Sequence, residues 1–168
     1  MHFNKKFNTY DLSGEYGIGY TLKGEEFYFD LEDYDKIKDY CWCISPSTKS
    51  VVARESGTNK TISMHRLIMN FPQNKQIDHI HHKKFDNRKS ELRLCTNQEN
   101  NWNKAEQSNN TSGHRGISWD KRDKLWHCYI EINGKRINKY FNANEIDEAI
   151  KWRAEKEKEL FGDFAYNE

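Results

Sequence analysis

The sequence predicts an α+β protein built from small modules rather than around one large core. Three observations predict it. Hydrophobic residues make up only 35% of the 168-residue chain, while aromatics reach 14% and charged residues 32%, a mix that folds but fills thin cores. The first third is rich in aromatic and β-branched residues broken by turn signals. Each of the two later segments runs through strands and then a helix signal. The expected parts are a β-rich N-terminal region at 1–60, a strand–loop–strand–helix unit at 61–106, a linker at 107–111, and at 112–168 a three-stranded antiparallel sheet plus one helix.

In the N-terminal region, Tyr16 to Leu22 and Glu26 to Asp30 read as strands around a Lys23-Gly24-Glu25 turn. Leu31 to Tyr40 has helical spacing at Leu31, Tyr34 and Ile37. Tyr40 to Ser45 and Ser50 to Arg54 read as a second hairpin. This region names no chemistry and is expected to be a scaffold. A short helix, Met64 to Asn70, leads onward.

In the second unit, Ile77 to Ile80 ends a strand, His81 to Lys89 is a polar loop, and Leu92 to Cys95 returns. Thr96-Asn97-Gln98-Glu99 is a capping box, in which the Thr hydroxyl accepts a first-turn N–H and the Glu reaches back. The helix is expected from Asn97 to about Ala105. After the polar linker come strands at Gly116 to Trp119, Trp126 to Ile132 and Lys135 to Phe141, with Asn133-Gly134 as a hairpin turn. A helix is expected to start at Asn142, with Glu145 completing a second box and Gly162 as C-cap. Its apolar stripe runs through Ile146, Ala149, Ile150, Arg153 and Leu160.

The net charge of +1 conceals an uneven distribution. Residues 61–103 carry 7 Lys/Arg against 4 Asp/Glu, and residues 104–140 carry 8 against 4. Residues 1–60 carry 8 against 10, and 141–168 carry 4 against 8. A basic middle between acidic ends suits one polyanion-facing surface. No apolar run nears the roughly 20 residues of a membrane span, and nothing resembles a signal peptide. Cys41, Cys43, Cys95 and Cys128 form no Cys-x-x-Cys pair, so they read as reduced thiols of a cytoplasmic protein, not as a zinc knuckle.

The chemistry-bearing residues are Asp78-His79, Asp86-Asn87-Arg88 and Asn100. Phosphodiester cleavage needs a base for water and a cation for the charge gathering on the leaving and nonbridging oxygens. Histidine, with an ordinary pKa of about 6.5, is the usual base near neutrality. Asp78 and Asn100 each provide a hard oxygen, of the kind Mg²⁺ prefers. His79 follows Asp78 along a strand, so its side chain points to the opposite side from the carboxylate. Taken singly these residues have plainer readings: Asn87 as a turn former, Asn100 as a solvated helix residue, and His81 and His82 as surface histidines.

Together, from His65-Arg66 through Asp78-His79, Asp86-Asn87-Arg88 and Leu92-Arg93 to Glu99-Asn100, they resemble the HNH nuclease family. The likeness is to its phage and intron-encoded homing branch, in which the last motif position is Asn. The resemblance implies a ββα-metal unit with His79 as general base, Asp78 and Asn100 on one divalent ion, and Asn87 orienting the loop that presents the histidine. The ion would be Mg²⁺, with Mn²⁺ the alternative. His65 and Arg66 match an upstream His-Arg pair with a structural or phosphate-binding role. Two positions depart from the family: His81-His82 stands where Asn-Gly is common, and Glu91 precedes Leu92-Arg93 in place of Asn.

The C-terminal segment carries Ser112-Gly113-His114-Arg115-Gly116-Ile117-Ser118-Trp119, then Trp126, Asn133-Gly134-Lys135-Arg136 and Tyr140-Phe141. It resembles the APETALA-two or ethylene-response-factor type of DNA-binding domain, whose sheet enters the major groove. That resemblance implies contacts from Arg115, Trp119 and Trp126, and backbone contacts from Lys121, Arg122 and Arg136. The expected surface gathers these residues with Lys135 on the face opposite the helix, though Trp119 and Trp126 also suit core positions beneath it. The combined expectation is a monomeric endonuclease on double-stranded DNA, phage-encoded or from a bacterial host. A non-cleaving DNA-binding transcriptional regulator is the alternative.

Overall fold

A computed structural model of the chain describes residues 8–58, 60–103 and 112–165. The fold is mixed α+β, with several small antiparallel sheets and few helices among the described residues. It divides into two compact units, residues 1–100 and 101–168. The expected linker at 107–111 and the end of the helix expected to reach Ala105 lie outside the described residues.

In the first unit, β1 (Thr9–Asp11), β2 (Gly17–Tyr20) and β3 (Glu26–Phe29) form one antiparallel sheet. Gly17 and Gly19 lie opposite Phe29 and Phe27, and a Cβ at either glycine would sit 2.3 Å or 2.2 Å from the facing ring. Both rings are fully buried, so the missing side chains make room for the core. A single 3-10 turn at Leu31–Asp33 and the four-residue helix α1 (Tyr34–Ile37) replace the longer helix expected over Leu31 to Tyr40. β4 (Trp42–Ile44), β5 (Val51–Arg54) and β6 (Thr61–Ser63) make a second sheet, followed by α2 (Met64–Ile68). The buried Asn8 side chain bonds both backbone groups of Trp42, and the indole donates to Ile37 O at 2.9 Å. The unit closes with β7 (Gln76–His79), β8 (Leu92–Cys95) and the first turn of α3 (Asn97–Trp102), whose last two residues, Asn101 and Trp102, belong to the second unit.

One core serves all of this. Phe27, Phe29, Trp42, Val51, Met64 and Leu92 belong to a single buried cluster that runs from β3 to β8. At about 1.5–3 kcal/mol per large apolar side chain, burying this set is the main stabilisation of the unit. The β-rich N-terminal region and the segment carrying Asp78 and His79 therefore share a core.

The second unit is a three-stranded sheet, order β11-β10-β9, with a helix on one face. The strands are β9 (Ile117–Asp120), β10 (Leu125–Ile132) and β11 (Lys135–Asn142). Asn133 and Gly134 both have positive φ, 51° and 73°, as a two-residue type I′ hairpin requires. The helix α4 (Ile146–Phe161) begins later than expected. Asn142 still ends β11, and its N–H donates to the Glu145 carboxylate at 2.7 Å. Gly162 caps the far end at φ 53°, in the left-handed region that favours glycine. Ile117, Cys128, Phe141 and Ala149 form the core, with Trp126, Ile150 and Trp152 packed against it. Gly116 has φ 70°, and a Cβ there would lie 2.5 Å from Tyr129 O and 2.6 Å from Arg153 Nε, so only glycine fits between β10 and the buried Arg153.

Among the described residues, no helix is long and apolar enough to cross a membrane.

Candidate active site

The site begins with a register. In the β7–β8 pair, Asp78 lies directly opposite Arg93, and His79 opposite Leu92. The Arg93 guanidinium donates from Nε and Nη2 to Asp78 Oδ2 at 3.0 and 2.8 Å. Asp78 is only 8% exposed, so this cation compensates a carboxylate that would otherwise be costly to bury.

Alternation along β7 puts Gln76 and Asp78 on one face and His79 on the other. Helix α3 is set by its capping box in both directions: Thr96 N donates to Glu99 Oε2 at 2.7 Å, and Glu99 N to Thr96 Oγ1 at 3.2 Å. From the first turns of that helix the Asn100 amide donates to Gln76 Oε1. Asn100 is thus tied to the face of β7 that carries Asp78, two residues further on.

His79 is also 8% exposed. Its ring meets His65 edge-on, with centroids 5.3 Å apart at 79°. Burial lowers the pKa of His79, while the charges of Asp78 and Asp86 and the nearby Asn87 amide act in the opposite direction. The net shift is downward, so the ring is neutral at neutral pH and able to take a proton. His65 is pushed down to about 4, first by burial and then by His79 and Arg66.

The loop behind His79 is held by the N-terminal sheet. Tyr28 of β3 donates its N–H to Phe85 O at 2.9 Å and accepts from Asn87 N at 2.8 Å, a parallel bridge onto Asp86. Asn87 is fully buried and donates to Phe85 O at 3.1 Å. Asp86 and Arg88 make a two-pronged ion pair, with Nε on Oδ1 at 2.8 Å and Nη2 on Oδ2 at 2.5 Å. The same guanidinium lies 4.4 Å from the Tyr16 ring centre. Lys89 N donates to Asp30 Oδ2 at 2.8 Å, and its ammonium reaches Glu32 and the buried Asp33. His81 pairs with Glu91 at 2.8 Å.

The metal question turns on the donors. Among the described residues no cluster of three or more His, Cys, Asp or Glu gathers, so no all-protein zinc cage is built. The side chains of Asp78 and Asn100 present oxygen donors of the type a hard dication takes, and Asp78 Oδ2 is already engaged by Arg93.

The residues expected to touch DNA are scattered. Arg66 donates to Pro72 O at 3.2 Å. Arg115 is spent on the end of α3, donating to Trp102 O at 2.7 Å and Asn101 O at 2.8 Å. Trp119 lies opposite Trp126 in register, with ring centres 4.9 Å apart. Trp126 packs on the helix-side core and donates to Ala143 O at 3.1 Å. The strand pairing puts Trp119, Trp126 and Lys135 on the helix side and Arg136 on the other, so the single basic and aromatic face expected is not formed. Trp126 is better used on the core beneath α4, where part of its area is removed from water, and Trp119 packs on Trp126. Lys121 and Arg122 are exposed in the β9–β10 turn, and Arg122 pairs with Asp123 at 2.9 Å. The outer face instead carries His127 stacked on Tyr140 at 4.8 Å, His127 bonded to Asn138 at 2.9 Å, and Arg136 4.4 Å from the Tyr129 ring centre. Sequence reasoning missed this face and the Arg93–Asp78 pair. Opposite charges on the strands flanking the polar loop were the one available hint of the pair.

No protein-family model and no solved structure matches the chain. It is 34% identical over 94 residues to Protein 3.8 of Escherichia phage T7, an alignment that spans 56% of this chain and 76% of that one. It is 29% identical over 149 residues to a protein of Acanthamoeba polyphaga mimivirus named as an uncharacterized HNH endonuclease, spanning 85% of this chain and 74% of that one. The chain therefore belongs to the same family as Protein 3.8 of Escherichia phage T7, and a viral protein named as an HNH endonuclease stands among its distant relatives.

Proposed function

We propose that the protein is a metal-dependent HNH endonuclease of the homing type that hydrolyses phosphodiester bonds in double-stranded DNA. The observation that carries the reading is the back-to-back placement of Asp78 and His79 on β7, with Asn100 tied to Gln76 on the Asp78 side. The name of the mimivirus relative agrees with it.

In this mechanism the neutral His79 ring accepts a proton from the attacking water. Asn87, fully buried and held to Phe85 O, sits beside His79 and raises its proton affinity, and by that proximity would limit the direction in which the ring points. Asp78 and Asn100 would hold a divalent ion, Mg²⁺ or Mn²⁺, which would supply positive charge to offset that gathering on the phosphate and the leaving 3′-oxygen. Arg93 keeps the Asp78 carboxylate in one orientation. Lys89 and Arg88, anchored by Asp30, Asp33 and Asp86, keep the loop from drifting away from the ring. One such site cuts one strand per event, so a monomer nicks.

For DNA binding, the outer face of the second unit is the surface to favour. Arg136 offers a fork for guanine or phosphate, and Asn138, His127 and Tyr140 offer polar edges. The non-cleaving regulator has one observation in its favour, the 8% exposure of His79, which leaves little of the ring open to a phosphate.

Plasmid nicking with Mg²⁺ decides between the two. His79→Ala is expected to lower the rate by about 10²–10⁴-fold, the usual worth of a positioned base. Equal nicking by both proteins, or by neither, would overturn the proposal.

A further inference from the structure

A polar groove of about 730 Å³ opens beside the candidate active site, entirely within the first unit. One wall is the turn after α2, with Asn74 and Lys75. The other is the start of α3, with Asn97 and Gln98, and Arg66 and Gln76 lie between. Gln76 is the residue that accepts the Asn100 amide, so the groove shares a wall with the proposed metal ligand. We infer that this groove seats the backbone of the DNA strand next to the bond that is cut, with Arg66 and Lys75 on phosphates and the amides of Asn74 and Gln98 on neighbouring sugar or base edges. The inference rests on the nuclease reading and adds a binding site to it.

The lining chemistry carries the argument. It contains two cations and no carboxylate, so the lining itself is positive and favours an anion, although the Glu99 carboxylate that caps Thr96 offsets part of the Lys75 charge. Its remaining polar groups are chiefly Asn and Gln amides, which donate and accept at phosphate oxygens and base edges alike. Pro72 is the one apolar residue in the lining, and no aromatic is present. A free nucleotide needs an apolar or aromatic wall for its base, and this groove offers none. A strand that runs through, held by its backbone, needs no such wall. Lys75, Asn74 and Gln98 are exposed, so their placement serves no core.

The test measures binding apart from cutting. A fluorescein-labelled DNA duplex is titrated with the full chain in EDTA across a range of salt concentrations. Lys75→Ala is expected to reduce the slope of log K against log salt by about 1, and to weaken binding roughly threefold to tenfold near physiological salt. Lys75→Arg should restore both. Lys23→Ala, on an exposed turn elsewhere in the unit, should change neither. Gln98→Ala should weaken binding with the slope unchanged, because it removes no charge. A Lys75→Ala slope equal to that of the parent, or an equal loss in Lys23→Ala, overturns the groove. If the slope shifts as expected while plasmid nicking does not depend on His79, the nuclease reading falls and the groove stands. If nicking depends on His79 while the groove variants bind like the parent, the groove alone falls. A parent that binds no duplex at all sinks both.

Discussion

The two units bury different kinds of group. In the first, Asp33, Asp78, His79, Asp86 and Asn87 are all 8% exposed or less, and ion pairs or hydrogen bonds engage each of them. In the second, burial goes mainly to Ile117, Cys128, Ile130, Phe141 and Ala149, while Tyr140 stays 57% exposed on the outer sheet face. A buried polar group costs free energy unless it is bonded. Four of these five lie within nine residues of one another around a single loop, so the first unit fixes groups in place at some cost to stability. The second unit fills a small core with apolar side chains around one buried cation, Arg153, paired with Glu157 at 2.8 Å, and presents a face.

The contrast is broken most readily by the largest substitutions. Arg93→Met strands the Asp78 carboxylate in its buried position and should cost about 3–5 kcal/mol. Thermal unfolding would show that as a drop of more than about 10 °C. In the second unit Trp126→Ala should also destabilise, by about 2–4 kcal/mol, because the indole packs on the core and bonds Ala143 O. A Trp126→Ala protein that melts like the parent but loses DNA would return the tryptophan to the binding face and undo the comparison.

Acid separates the units more gently. The folded His65 ring resists protonation down to about 4, whereas in the unfolded chain it protonates near 6.5. Above about 6.5 both states carry a neutral ring and stability is complete. As the pH falls from there towards about 4, the unfolded chain takes up a proton that the fold refuses, and stability drops by at most about 3 kcal/mol. Urea midpoints at pH 7 and pH 5 should show the loss, and His65→Gln should flatten it. An unchanged pH dependence in His65→Gln would assign the acid sensitivity to another group.

What the sequence disclosed and what it hid divide along the range of the interaction. The Thr96–Glu99 box and the Asn133-Gly134 turn are settled within four residues, and both form as read. The Asn142–Glu145 signal is equally local, yet β11 claims Asn142 and only the Glu145 half of the box forms, which delays the helix. β1 and β6 escaped notice because each is three residues long, mostly polar, and owes its conformation to the strand beside it. The Asp78–Arg93 pair depends on the β7–β8 register, which the long loop between them leaves open until the core places Leu92. The roles of Tyr28 and Asp30 in anchoring the loop between β7 and β8 are longer in range still, spanning nearly 60 residues between Asp30 and Lys89. Tryptophan is ambiguous by nature, suited to a core and to an interface alike, and only the strand pairing turns Trp119 and Trp126 towards α4.

The smallest expected change in stability is the most telling one for the second unit. Tyr140 stacks on His127, which in turn bonds Asn138, and all three lie on the side of the sheet away from α4. Removing an exposed ring from such a stack should alter folding stability by no more than about 0.5 kcal/mol. If that face meets DNA, the same change removes a hydroxyl and a ring edge from the interface and loosens the His127–Asn138 pair. Affinity for duplex DNA should then fall roughly fivefold, or about 1 kcal/mol. Fluorescence anisotropy of Tyr140→Ala beside Trp126→Ala reads both sides of the sheet in one experiment. The expected result is a variant that folds like the parent and binds less, next to one that folds poorly. Parent-like binding by Tyr140→Ala would mean that the exposed aromatic face is not where this unit meets DNA.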